Sequence, residues 1–70
     1  MTAFVKLYRQ ANHVRRFSIE STRDGWSVRK EEDDRVMQES RYNDWHRVER
    51  ARRAFVIEMA TLQKQGWRED

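Results

Sequence analysis

Residues 44–67 read DWHRVERARRAFVIEMATLQKQGW, and the spacing of their apolar side chains decides the fold. Val48, Ala51, Phe55, Met59 and Leu62 recur at steps of three and four. At about 100° per residue they fall in one stripe roughly 80° wide, the signature of a helix with one side against a core. Asp44, or Asn43 before it, is suited to accept hydrogen bonds from the free N–H groups of the first turn. Gly66 stands where the chain must turn left-handed to stop, which makes Trp67 and Leu62 the apolar pair of a Schellman turn. A helix over Trp45–Gln65 is about 31 Å long, too long to persist alone on one apolar stripe, so the preceding residues must supply the surface it covers.

Those preceding residues read as strands. Val14–Ser21 has the clearest period of two, with Phe17 and Ile19 on one face and Arg16, Ser18 and Glu20 on the other. Thr22-Arg23-Asp24-Gly25 is a turn, and Trp26–Lys30 resumes the alternation with Trp26 and Val28 inward, completing a hairpin. Ala3–Gln10 fits either an edge strand, from Ala3, Val5 and Leu7, or a helical turn, from Phe4, Leu7 and Tyr8; the strand is the better fit. Glu31-Glu32-Asp33-Asp34 reads as a solvated connection, because four adjacent carboxylates repel one another and resist desolvation. Arg35–Tyr42 is a fourth strand of weaker pattern. The expected architecture is therefore α+β: a small antiparallel meander of three or four strands, packed by one long C-terminal helix. Phe17, Ile19, Trp26, Val28 and Val36 are expected to meet Val48, Phe55, Met59 and Leu62 in a single core. With no linker and no repeat, residues 1–70 form one domain.

Composition narrows the function. The 70 residues carry 15 Lys and Arg against 12 Asp and Glu, a net charge of +3, and the acids are concentrated while the bases are spread. Arginine, the planar fork suited to phosphate and carboxylate, supplies most of the positive charge. There is no cysteine, no apolar run approaching a membrane span and no signal-peptide pattern, so a cytoplasmic protein with no membrane partner is the default expectation.

Catalysis is not expected. A nucleophile needs a base within reach and a group to orient it, whereas this chain has no cysteine, no glycine-flanked serine and only His13 and His46 as histidines. The two glycines exclude a glycine-rich phosphate loop, and neither the acidic run nor His46 has the ligand spacing of a known metal motif, so no cofactor and no metal are expected. The helix face opposite the core is more informative. His46, Arg50, Arg53, Ile57 and Lys64 project within about 60° of one another, a basic stripe able to follow phosphates, with Glu49 and Arg53 placed for an ordinary surface pair. Arg16, Arg29 and Arg35 or Arg41 fall on the outward sheet face, and Arg16, Arg29 and Arg35 are taken as a second basic set. Ile57, flanked by Ala54 and Ala60, and Tyr8, on the presumed edge strand, are candidate contacts for a homodimer or another protein.

Arg16-Phe17-Ser18-Ile19-Glu20, then Asp24-Gly25-Trp26-Ser27-Val28, then a final helix with Ala51 and Phe55 ending at Gly66-Trp67, resembles the WGR domain. The resemblance implies a strand, a hairpin, a further strand and a closing helix, and a role in binding DNA or RNA. WGR domains occur in DNA-dependent poly(ADP-ribose) polymerases and as small bacterial proteins. The Trp-Gly-Arg tripeptide itself is absent: its place is taken by Lys30-Glu31-Glu32-Asp33-Asp34-Arg35, where only Arg35, with Val36 after it, corresponds to the family's Arg and its following apolar residue. The function expected is a small non-catalytic module binding nucleic acid by phosphate contacts; a protein-interaction or homodimerisation module is the alternative.

Overall fold

The structure, a computed structural model, describes residues 2–70. Among these residues the chain forms β1 (Thr2–Gln10), β2 (His13–Thr22), β3 (Gly25–Glu32), β4 (Arg35–Tyr42), α1 (Trp45–Lys64) and β5 (Arg68–Glu69). The strands make one antiparallel sheet in the order β4-β3-β2-β1-β5, and α1 lies against one face of it.

Three two-residue connections set the registers of the meander. Gln10 pairs with His13, Thr22 with Gly25 and Glu32 with Arg35. Asp33 and Asp34 have φ of 52° and 66°, the two left-handed residues of a type I′ turn, whose twist suits a hairpin and which Asp tolerates better than most side chains. The acidic run is therefore shorter as a connection than expected: Glu31 and Glu32 extend β3 opposite Arg16 and Arg15. Cross-strand charge neutralisation makes strand positions acceptable for them.

One face carries the core. Phe4, Tyr8, Phe17, Ile19, Trp26, Val28 and Tyr42 meet Val48, Ala51, Phe55, Met59, Leu62 and Trp67. Phe17 and Val48 are wholly inaccessible, and the Phe17 ring meets Phe55 at 4.9 Å and Tyr8 at 6.3 Å, both edge to face. Each large side chain so buried contributes about 2 kcal/mol. The helix ends as its sequence requires. Asp44 accepts from the His46 N–H at 2.9 Å. At the other end the Trp67 N–H reaches the Leu62 carbonyl and the Gly66 N–H reaches that of Gln63, with Gly66 at φ 99°, both bonds of a Schellman turn. No helix of the described residues is long and apolar enough to cross a membrane.

Three expectations are corrected. β1 is an edge strand over only part of its length, because β5 pairs with its Tyr8 and Arg9, and Tyr8, expected to be available for contact, is buried at 3% exposure. Its phenol is pushed above its ordinary value, by burial first and then by the nearby Glu69 carboxylate. Val36 lies outside the core at 55% exposure. The register slips between Glu31↔Val36 and Lys30↔Gln38, leaving Met37 as the extra residue of a bulge and placing Val36 beside Glu31 on the face away from α1.

Candidate nucleic-acid interface

The cations on the outward sheet face are held by neighbouring acids. Arg29 donates from Nε to Glu39 at 2.9 Å and through a second nitrogen to the same oxygen, and stands 3.7 Å from Glu31. The bond from Arg29, then its charge, holds the Glu39 carboxyl below its ordinary range, and Arg29 is raised in return. Arg16 lies 4.0 Å from Glu20, and Ser18 is buried beneath this layer. Cross-strand alternation thus produces a charge-balanced surface with Arg16 and Arg29 inside it. Arg35, at the start of β4, is exposed, forms no ion pair among the described residues and lies near Asp33 of the adjoining turn, apart from them.

The half-buried cations beside the helix are structural. Arg15 binds Glu32 and approaches Glu58 at 3.4 Å, its guanidinium lying 5.1 Å from the centre of the Trp67 ring. Lys30 reaches both Glu58 oxygens at 3.1 and 3.2 Å. These contacts join β2 and β3 to the second half of α1.

The outward face of α1 differs. Glu49 bonds Arg52, three residues on, at 3.1 and 3.2 Å, and not Arg53 as the spacing of four suggests. That bond, ahead of the charges of Arg52 and Arg53, lowers the Glu49 carboxyl. Arg50 and Arg53 are exposed, form no ion pair among the described residues and line one shallow depression of about 230 Å³ with His46 and Glu49. Lys64 is exposed a further eleven positions along, about 16 Å from Arg53, and is not part of that depression. Ile57 projects between them at 70% exposure, with Val56 beside it at 47%.

A feature that sequence reasoning missed sits at the end of the molecule where α1 begins. The β2–β3 turn, the end of β4 and the first turn of α1 border an open cleft of about 450 Å³, lined by Arg23, Arg41 and Arg47 together with Asn43, Trp26 and Tyr42. The three arginines are exposed and form no ion pair among the described residues. They are eighteen and six positions apart in sequence, on three elements, so no local spacing announces them. Arg47 belongs also to the turn of helix that carries His46 and Arg50, so the cleft adjoins the basic helix face.

One grouping has metal-ligand chemistry: single ligand atoms of His13, Glu32 and Asp33 lie within 4.8 Å of one another. Each is already engaged. His13 Nδ1 and Asp33 Oδ2 are 2.7 Å apart, Asp33 Oδ1 accepts from the Val14 N–H at 2.9 Å, and Glu32 holds Arg15. A cation there would displace bonds that connect the β3–β4 turn to β2.

Fold and surface together define a small α+β domain: a five-stranded antiparallel meander under one helix, with three arginines that form no ion pair among the described residues gathered in a cleft at one end. No family model, curated protein or solved structure matches the chain.

Proposed function

We propose that this domain is a small non-catalytic module that binds nucleic acid through backbone phosphates, using the outward face of α1 around Arg50 and Arg53 and the adjoining end around Arg47. The observation that carries the reading is a cluster of unpaired cations. Carboxylates of the sheet and helix engage Arg15, Arg29, Lys30 and Arg52, while Arg47, Arg50 and Arg53 lie on neighbouring turns of α1 with no ion pair among the described residues. Such a surface offers phosphate oxygens cations that need not first be separated from a protein partner. The resemblance to the WGR domain points the same way, as analogy of fold. Its tripeptide position is occupied here by the acidic type I′ turn, so the contacts proposed are this chain's own.

The test is affinity for a short mixed-sequence duplex and for a single strand at rising salt. Three or four phosphate contacts give a slope of about −3 in log K against log salt for duplex, and Arg50→Glu with Arg53→Glu weakens binding at least about tenfold and flattens that slope. Binding that ignores salt, or survives the double reversal unchanged, overturns the proposal.

A second reading is favoured by Ile57 and Val56, whose exposure on an otherwise polar helix face suits contact with a second copy of the chain.

A further inference from the structure

We infer that the cleft among Arg23, Arg41 and Arg47 holds an unstacked nucleotide, so that the nucleic acid this domain prefers is single-stranded. This rests on the nucleic-acid reading above and adds to it the form of the ligand.

The cleft combines two chemistries that a duplex cannot use together. Its arginines form no ion pair among the described residues, although the charge of Arg41 also reaches Glu39, and the one acid in its lining is Asp24, so the net charge there attracts phosphate. Its remaining lining includes Trp26 and Tyr42, register partners on β3 and β4 that are only partly buried against the core. Trp26 in turn meets Trp45 at 5.1 Å, and Trp45 is 44% exposed. In a duplex the base faces are covered by neighbouring bases, and only phosphates and groove edges reach a protein surface. A single strand presents both phosphate and a free base face, and stacking on aromatic or guanidinium planes is then available. The volume of about 450 Å³ lies in the range of small-ligand sites and accepts one nucleotide unit. A strand leaving the cleft past Arg47 meets Arg50 and Arg53 on successive turns of α1, so cleft and helix face form one track.

The site is shaped by backbone. Gly25 approaches the Tyr42–Asn43 backbone so closely that an added Cβ would stand 2.2 Å from the Tyr42 carbonyl oxygen. That contact joins the β2–β3 turn, which carries Arg23, to the end of β4, which carries Arg41 and leads to Arg47.

The experiment measures affinity for a short oligothymidylate and for a duplex of equal length at one salt concentration, by anisotropy of the labelled nucleic acid. Wild type and the double variant Arg23→Ala with Arg41→Ala are compared; both side chains are exposed and form no ion pair among the described residues, so the variant leaves the core intact. Wild type is expected to bind the single strand about tenfold more tightly than the duplex or better. The variant is expected to lose that preference while still binding duplex through Arg50 and Arg53. Equal or tighter binding of duplex by wild type, or a preference that the variant keeps, overturns the inference and leaves the phosphate-binding reading standing. Absence of binding to either nucleic acid overturns both.

Discussion

Gly25 occupies a position closed to every other residue. With φ at 155° and a virtual Cβ 2.2 Å from the Tyr42 oxygen and 3.0 Å from the Asn43 Cα, a side chain there must displace backbone atoms, not a flexible side-chain end. Gly25→Ala is expected to lower stability by at least about 2 kcal/mol in urea unfolding; a loss under half of that would show that β4 yields easily. His13 and Asp33 give a different kind of expectation. The hydrogen bond to Asp33, then its charge, raises His13 above its ordinary 6.5, while the same bond and that from the Val14 N–H hold Asp33 below 3.8. For His13 the contribution to stability is present in full below 6.5 and disappears as pH rises through the folded-state value. For Asp33 it is present above 3.8 and disappears as pH falls through its own lowered value. The pair therefore works best between those two ordinary values. In Asp33→Asn the NMR midpoint of His13 should fall toward 6.5, and an unmoved midpoint would remove Asp33 as the cause.

At the scale of elements, the strength of α1 lies in its ends and in what they touch. Trp67 closes the Schellman turn, packs on the core and lies over Arg15. Trp67→Ala is expected to cost about 2 kcal/mol in thermal or urea unfolding, with both helix end and Arg15 affected, and a near-neutral result would make the ring a bystander. Much of this was readable beforehand, because caps, the apolar stripe and the alternation of Phe17 with Ile19 are local patterns with local causes. β5 was not, since two residues carry no period. Nor was the burial of Tyr8: β1 has apolar residues on both faces, Phe4 and Tyr8 against Val5 and Leu7, and only its register with β2 decides which turns inward. The bulge at Met37 removed Val36 from the core in the same nonlocal way. Arg50 and Arg53 were visible as a helix face. The exclusion of Arg16 and Arg29 depends on acids from neighbouring strands, and the gathering of Arg23, Arg41 and Arg47 depends on three elements meeting.

Across the whole molecule the surface divides by pairing of charge and by exposed apolar area. If Ile57 centres a contact between copies, wild type sediments as a dimer and Ile57→Glu as a monomer. A dimer that persists in the variant assigns association to another surface, the bulged edge of β4 being the next to examine. The pairing of β1 with β5 has a consequence in time. Three of the sheet's four pairings join strands adjacent in sequence through two-residue turns and can form as the chain is made, hairpin by hairpin. The fourth joins Tyr8 to Glu69, fastened by the Asp70 N–H to the Leu7 carbonyl at 2.8 Å and by Arg9 to Asp70 at 2.7 Å across 61 residues. Because α1 stands between, the clasp can shut only once residues 68–70 have emerged. Until then the Leu7–Arg9 part of the oldest strand keeps its outer edge open, and during synthesis that edge is exposed to mispairing with a neighbouring chain.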